Sequence, residues 1–221
     1  MVDDNVFREV DEELRRERLA KLWELYGVYV VGVAVGVVLL MLGGIWWQNK
    51  QISDRQAAGD KFIEALRDVS KGEDKKAEDA FKGLINDSPA GYELLARLHL
   101  AASKASSGET GEAEILYKKV ALDPSADKIL RDYAKLNLAI LRLDAATYDE
   151  TLAALGEFIK PGAMWRGTAN EVIALAAYKE GKLDIAKKRY SEIIVEAGAP
   201  SALKRRAQVM LDVIATSEAT Q

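Results

Sequence analysis

The sequence predicts an all-α protein: a single apolar helix near the N-terminus, then a solenoid of stacked helix pairs closed by a last helix. Three observations carry this. Leu25 to Asn49 contains no charged residue, and Tyr26 to Trp47 is almost wholly apolar. Beyond it, a small residue followed four positions later by a large one recurs at a nearly constant interval. Only four prolines interrupt 221 residues rich in Ala, Leu, Glu and Lys, which favours helix, and no segment shows the strict apolar–polar alternation of a strand.

Composition narrows the chemistry. Hydrophobic residues at 49% are enough for a core, and charged residues at 30% do not mark a disordered polymer. A formal charge of −4 and a pI near 5.3 argue against a nucleic-acid binder. The absence of cysteine excludes disulfides, thiolate zinc, iron–sulfur clusters and thiol catalysis, but does not fix the compartment. His99 is the single histidine, so His-rich metal sites are excluded too. Its setting, Arg97-Leu98-His99-Leu100, reads as a structural helix residue.

Twenty-two helical residues from Tyr26 to Trp47 would extend about 33 Å at a rise of ~1.5 Å each, enough for a bilayer core of about 30 Å. Trp23, Tyr26 and Tyr29 at one end, and Trp46 and Trp47 at the other, are interfacial anchors. The stretch exceeds the apolar region of a signal peptide and ends in Gly43-Gly44-Ile45-Trp46-Trp47 without a small-x-small site, so a retained signal anchor is expected. Arg8, Arg15, Arg16, Arg18 and Lys21 precede it, against Lys50, Arg55 and Lys61 after it, which places the N-terminus in the cytoplasm. The expected organisation is therefore a cytoplasmic tail at 1–24, a transmembrane anchor at 25–49 and a helical-repeat domain at 50–221. Gly32 and Gly36 form a GxxxG with Gly43 seven residues on, a face where small residues permit close helix packing.

The tail itself has a helical rhythm in Val6, Phe7, Val10, Leu14, Leu19, Leu22 and Trp23. It reads either as a docking helix for a cytoplasmic partner or the membrane surface, or as a charged flank that fixes topology. At the other end of the span, no proline lies between Asn49 and Lys61. The helix is expected to continue into the first repeat, with Gly59 as the bend.

The repeats are anchored by Ala77/Phe81, Ala113/Tyr117 and Ala186/Tyr190, with a degenerate copy at Thr151/Leu155. Successive first members are 36, 38 and 35 residues apart, close to the tetratricopeptide period of about 34. Ala174, Tyr178 and Gly181 complete the best-matching pair together with Ala186 and Tyr190. The small residue lets paired helices cross closely and the aromatic fills the space beside it. One pair cannot hide its apolar face, so several must stack. Pairs are expected at 55–87, 89–122, 126–159 and 164–196, then a capping helix from Ser201 to about Ala215. That cap should turn Leu203, Ala207, Met210, Leu211 and Ile214 inward and Lys204, Arg205 and Arg206 outward. Thr151 and Leu155 are expected to make the third pair irregular.

No Walker loop, dinucleotide glycine run, GxSxG or HExxH is present. The acidic pairs Glu73/Asp74 and Glu112/Glu114 fall at helix starts, where caps explain them. Charges beyond the tail are nearly balanced, as on a solvated scaffold. No catalytic, cofactor-binding or metal residue is expected, and neither nucleic acid nor a small-molecule substrate. Tyr92, Tyr117, Tyr133, Trp165 and Tyr178 are candidates for a peptide-binding face, although repeat-pattern positions are usually core.

The order of a tail bearing Phe7-Arg8-Glu9-Val10-Asp11-Glu12-Glu13-Leu14, one membrane helix ending Trp46-Trp47 and then degenerate repeat pairs resembles the ancillary subunit family of the bacterial SecYEG translocon. These are the YfgM-type tetratricopeptide proteins of Gram-negative inner membranes. The resemblance implies a single-pass protein with its N-terminus in the cytoplasm and its tetratricopeptide-like domain in the periplasm. It further implies a non-enzymatic adaptor associated with SecYEG, with a membrane-anchored chaperone resembling a peptidyl-prolyl isomerase, and with newly translocated polypeptides. The alternative is an envelope signalling or organising protein with a regulatory cytoplasmic tail.

Overall fold

The computed structural model describes the backbone of residues 3–219, and side chains from Trp23 onward except at positions 25, 30, 34, 90, 218 and 219. Every regular element among these residues is an α-helix: α1 (Asp3–Ser70), α2 (Asp74–Asp87), α3 (Ala90–Ser106), α4 (Thr110–Ala121), α5 (Lys128–Arg142), α6 (Tyr148–Leu155), α7 (Arg166–Lys179), α8 (Leu183–Val195) and α9 (Ser201–Ala219). The chain divides into two compact units, Met1–Gln56 and Ala57–Gln221.

The described residues of the first unit all belong to α1. The backbone is helical from Asp3, while the expected apolar face of the tail (Val6, Phe7, Val10, Leu14, Leu19 and Leu22) lies outside the described side chains. From Tyr26 the helix is long and apolar enough to cross a membrane, and its most apolar window has no buried residue. Trp23, Tyr26, Tyr29, Trp46 and Trp47 are all exposed, and the Lys50 ammonium lies 5.7 Å from the Trp46 ring centroid. A Cβ placed on Gly32, Gly36 or Gly43 would meet nothing within 4 Å, so no described atom covers that face.

The second unit opens on the α1 segment from Ala58 onward. Ala58, Phe62 and Ala65 bury themselves against Ala77, Phe81 and Leu84 of α2 and against Ala96 and Leu100 of α3. Gly59, expected to bend the chain, sits inside the helix instead. Its missing Cβ leaves room for the Tyr92 hydroxyl, which would lie 2.7 Å from one. The pairs that follow are α3–α4, α5–α6 and α7–α8. Helix α9 extends the expected cap by about a turn.

Pattern positions lie where pairs meet. Ala77, Phe81, Ala113, Tyr117, Ala174, Ala186 and Tyr190 are buried, and Tyr178 packs partly buried against the last cluster. Removing a ring such as Phe81 from water is worth about 1.5–3 kcal/mol, enough to hold a crossing that helix propensity alone does not fix. Three of the four turns inside pairs share one local solution. Gly72, Gly108 and Gly181 adopt φ of 75°, 82° and 72°, and the following N–H of Glu73, Glu109 and Lys182 donates back across the turn to Asp68, Lys104 and Ala177, each at 2.9 Å. This left-handed stop closes the first helix and starts the second within three residues.

The third pair lacks that glycine, and α6 has only 8 residues. Its turn, Asp144-Ala145-Ala146-Thr147, is held by other means. Thr147 and Glu150 form a capping box at the start of α6. Lys179, at the end of α7, donates to the carbonyls of Leu143, Asp144 and Ala146 at 2.6, 2.8 and 3.0 Å. The Glu180 carboxylate accepts from the Tyr148 N–H at 2.6 Å. Thr151 and Leu155 are both buried in the Ala and aromatic positions, and buried Phe158 supplies a ring three residues later.

Candidate functional site

Helices α5, α7 and α9 line an open groove of about 840 Å³ in the C-terminal half of the repeat unit. Ile140 and Leu143 come from α5, Thr168, Glu171, Val172 and Leu175 from α7, and Ala202, Arg205, Arg206, Val209 and Met210 from α9. The Tyr190 ring of α8 lies at its base. The helical spacing of 168/171/172/175 puts one face of α7 along the groove, while 169, 173, 176 and 177 are buried in the core.

The position of α9 sets the width of this groove. Leu203, Ala207 and Ile214 are buried against the preceding layer, and Gly167 lets Leu203 approach so closely that a Cβ there would lie 2.7 Å from its Cδ2. Arg206 then grips Glu171 in a two-point pair, Nε to Oε1 at 2.6 Å and Nη2 to Oε2 at 2.7 Å. The side of α9 turned away from the core is not polar throughout, as Val209 and Val213 remain exposed. The last helix thus closes the stack on one side and leaves an apolar strip open on the other.

Electrostatically the groove is quiet. Glu171 is engaged by Arg206, whose guanidinium it holds more firmly protonated. Burial, with Glu171 nearby, pushes the Tyr190 hydroxyl up to about 12. Arg205 makes no ion pair among the described residues and leaves a positive charge at the α9 wall. Aliphatic walls with one free cation suit an apolar segment carrying an acidic group; they offer no acid–base pair tuned near neutrality. No group of three or more His or acidic side chains is placed to hold a metal among the described residues.

The contrast with the N-terminal half is chemical. The cavity between α1 and α2, about 290 Å³, is lined by Lys61, Glu64, Asp68, Lys76 and Asp87 among others. Its rim is tied by Lys76 to Asp68 at 3.1 Å. Nearby, Lys104 is nearly buried among Glu78 at 2.9 Å, Glu109 at 2.8 Å and Glu112 at 3.4 Å. Hydrogen bonds to Glu109 and Glu78 raise its pKa, and the Lys104 bond lowers those of both carboxylates. Glu112 thus pairs with Lys104 and Glu114 with Lys118 and Arg142, while the N-cap position of α4 is Glu109. Glu73 stands at the N-cap of α2 without a side-chain cap bond and lies 3.5 Å from Lys76.

Of the residues expected to matter for packing, Tyr190 from the repeat pattern and Met210 from the cap touch the groove. The proposed peptide-binding aromatics lie elsewhere. Tyr92 packs on Phe62, Tyr117 is buried, Tyr133 leans on Trp165 with centroids 5.8 Å apart, and Tyr178 joins the last core cluster. His99 stacks on Phe81 at 5.5 Å and meets Phe62 edge-on at 5.3 Å, with part of its surface still exposed. Partial burial lowers its pKa. The groove residues Ile140, Leu143, Val172, Leu175 and Val209 went unnoticed because aliphatic side chains on amphipathic helices look like core. The available signal was α9, whose Val209 and Val213 exceed what one buried face requires.

A model of the tetratricopeptide repeat-like domain matches residues 20–216. No curated protein and no solved structure matches the chain. Domains of this kind are scaffolds for protein–protein interaction and are generally non-catalytic. With the match covering most of its length, and with helix pairs stacked on buried Ala–aromatic positions, the chain belongs to the tetratricopeptide repeat-like domain family.

Proposed function

We propose that this protein is a non-enzymatic adaptor anchored in the bacterial inner membrane at the SecYEG translocon, with its N-terminus in the cytoplasm and its repeat unit in the periplasm. There it brings newly translocated polypeptides together with a membrane-anchored chaperone resembling a peptidyl-prolyl isomerase. One observation carries this reading: an unburied apolar helix and an open aliphatic groove occur in the same interaction-scaffold chain. Tethering turns a weak encounter with a passing segment into an effectively intramolecular one, so a shallow groove is sufficient. The groove takes an apolar stretch of the partner between α7 and α9, and Arg205 receives an acidic group at one end.

The test is purification of the tagged full-length protein from detergent-solubilised membranes. Channel subunits and the periplasmic chaperone are expected to co-purify with it. Leu175→Asp and Val209→Asp, both at exposed positions, are expected to lose the chaperone or client while keeping the channel. Absence of both channel and chaperone from the wild-type preparation overturns the proposal.

A further inference from the structure

The two edges of the repeat stack differ in chemistry. Turns inside pairs, at 71–73, 107–109, 144–147 and 180–182, carry no large apolar side chain. Turns between pairs do: Leu122 closes α4, Met164 precedes α7 and Val195 ends α8. They are 78%, 71% and 80% exposed, the three most exposed large apolar residues of the unit. Contacts between successive turns place these residues on one edge. The Tyr133 and Trp165 rings join the start of α5 to that of α7, and Arg166 reaches Glu196 at 3.4 Å, joining the start of α7 to the end of α8. The first turn between pairs, Ser88-Pro89, has no such residue.

We infer that this edge rests on a phospholipid surface, into which Leu122, Met164 and Val195 insert. The inference depends on the membrane anchorage proposed above. Three arguments favour lipid as the occupant. The chain enters the unit on this edge, since Gly59 lies beside Tyr92 near the start of α3. Trp47 precedes Ala57 by ten residues, so the chain that joins the apolar stretch to the unit's point of entry is at most about 36 Å long. Finally, separated single side chains at turn tips lack the contiguous pocket that a protein anchor fills, whereas a fluid interface accepts them one by one, with a Tyr–Trp pair at headgroup depth. The charges of the edge are mixed in sign, with Asp123 and Asp127 offsetting Arg131 and Lys160 and no basic excess to draw an anionic surface. Lys128 pairs with Asp132, Arg166 with Glu196, and Arg131 donates to the Ala126 carbonyl. Insertion is therefore apolar and insensitive to salt. Alone the contact is weak; the tether makes it persistent.

The test uses the full-length protein in phospholipid vesicles with brominated acyl chains and no other protein. The chain has no cysteine, so single-site variants Leu122→Cys, Met164→Cys and Val195→Cys take one environment-sensitive fluorophore each. Ser107→Cys and Asp144→Cys report the opposite edge, and Met41→Cys reports the apolar stretch. Bromolipid is expected to quench the first three severalfold more than the opposite-edge pair, with aqueous iodide giving the reverse order and added salt changing neither. Because the fluorophore is itself apolar, unlabelled protein is compared with the triple variant Leu122→Ser/Met164→Ser/Val195→Ser. Amide exchange at the three turns is expected to be severalfold slower in the wild type. Equal quenching on both edges with Met41 still quenched overturns this inference alone. An unquenched Met41 position overturns the anchorage as well. Shielding that appears only in membranes containing other proteins assigns the edge to a protein partner and overturns the lipid reading.

Discussion

The second and third helix pairs solve the same geometric problem with different means. In α3–α4 the solution is local. Gly108 turns the chain, Ala113 and Tyr117 fill the crossing, and Lys104 ties the turn to α2 through Glu78. In α5–α6 the turn has no glycine and the crossing has no aromatic in the pattern position. The missing pieces come from α7 and its following turn, through Lys179 and Glu180, and from Phe158 beyond the helix. A repeat that has lost its local signals keeps its place when its neighbour supplies the hydrogen bonds. In a solenoid, where interfaces between neighbours hold much of the stability, such a substitution is tolerated.

The largest expected effect separates the two kinds of crossing. Phe81→Ala, at a fully buried aromatic position of a regular pair, is expected to cost about 3–5 kcal/mol, and Leu155→Ala in the third pair about 2–3 kcal/mol, both read from denaturant unfolding. If Leu155→Ala proves the more costly, the aromatic is not what makes a regular pair regular.

Next come the turns. Gly108→Ala forces a side chain into the left-handed region and is expected to cost about 1–2 kcal/mol. Lys179→Met removes three charge-assisted bonds at an exposed site and is expected to cost a similar ~1–2 kcal/mol. Native-state hydrogen exchange distinguishes them. Gly108→Ala should speed exchange in α3–α4, whereas Lys179→Met should speed it in α5–α6, although the altered residue is in α7. Acceleration confined to α7 in the second variant would mean that the third pair holds itself. Thr147→Ala, which removes half of the capping box, is expected to cost about 1 kcal/mol and to act on the same amides.

The smallest effect lies at the junction of the two pairs. Glu114 of α4 accepts hydrogen bonds from Arg142 of α5 and from Lys118, which hold its carboxyl at about 2 against an ordinary 4.5. A depressed carboxylate contributes stability that is complete above its ordinary pKa and fades as pH falls towards 2. Thermal unfolding is therefore expected to show an acid-side decline that Glu114→Gln makes shallower, a change screened in part because the pair faces solvent.

How far the sequence is legible depends on the range of the interaction. Ala77/Phe81, Ala113/Tyr117 and Ala186/Tyr190 mark pairs because both members lie on one helix, four residues apart. Gly72, Gly108 and Gly181 mark turns because the left-handed conformation is a property of the residue itself. Thr151/Leu155 carries the warning of an irregular pair without its remedy, since Lys179 lies 36 residues from the Leu143 carbonyl it reaches. The groove was hidden for the same reason. Ile140, Leu175 and Val209 belong to three helices, and each satisfies the ordinary pattern of an amphipathic face.

By itself the sequence determined the helical class, the apolar stretch and the tetratricopeptide-like pairing of helices, because these follow from periodicity, hydropathy and backbone preference within a few dozen residues. Only the tertiary structure decided that α9 would stand off from α5 far enough to leave an aliphatic groove. It also decided that the third pair would borrow its closure from α7, and that exposed apolar residues would gather along one edge of the stack. The physical reason is that a side chain's environment is set by distances between helices. Those distances depend on how Gly167, Leu203, Glu171 and Arg206 meet across elements, which no spacing along the chain encodes.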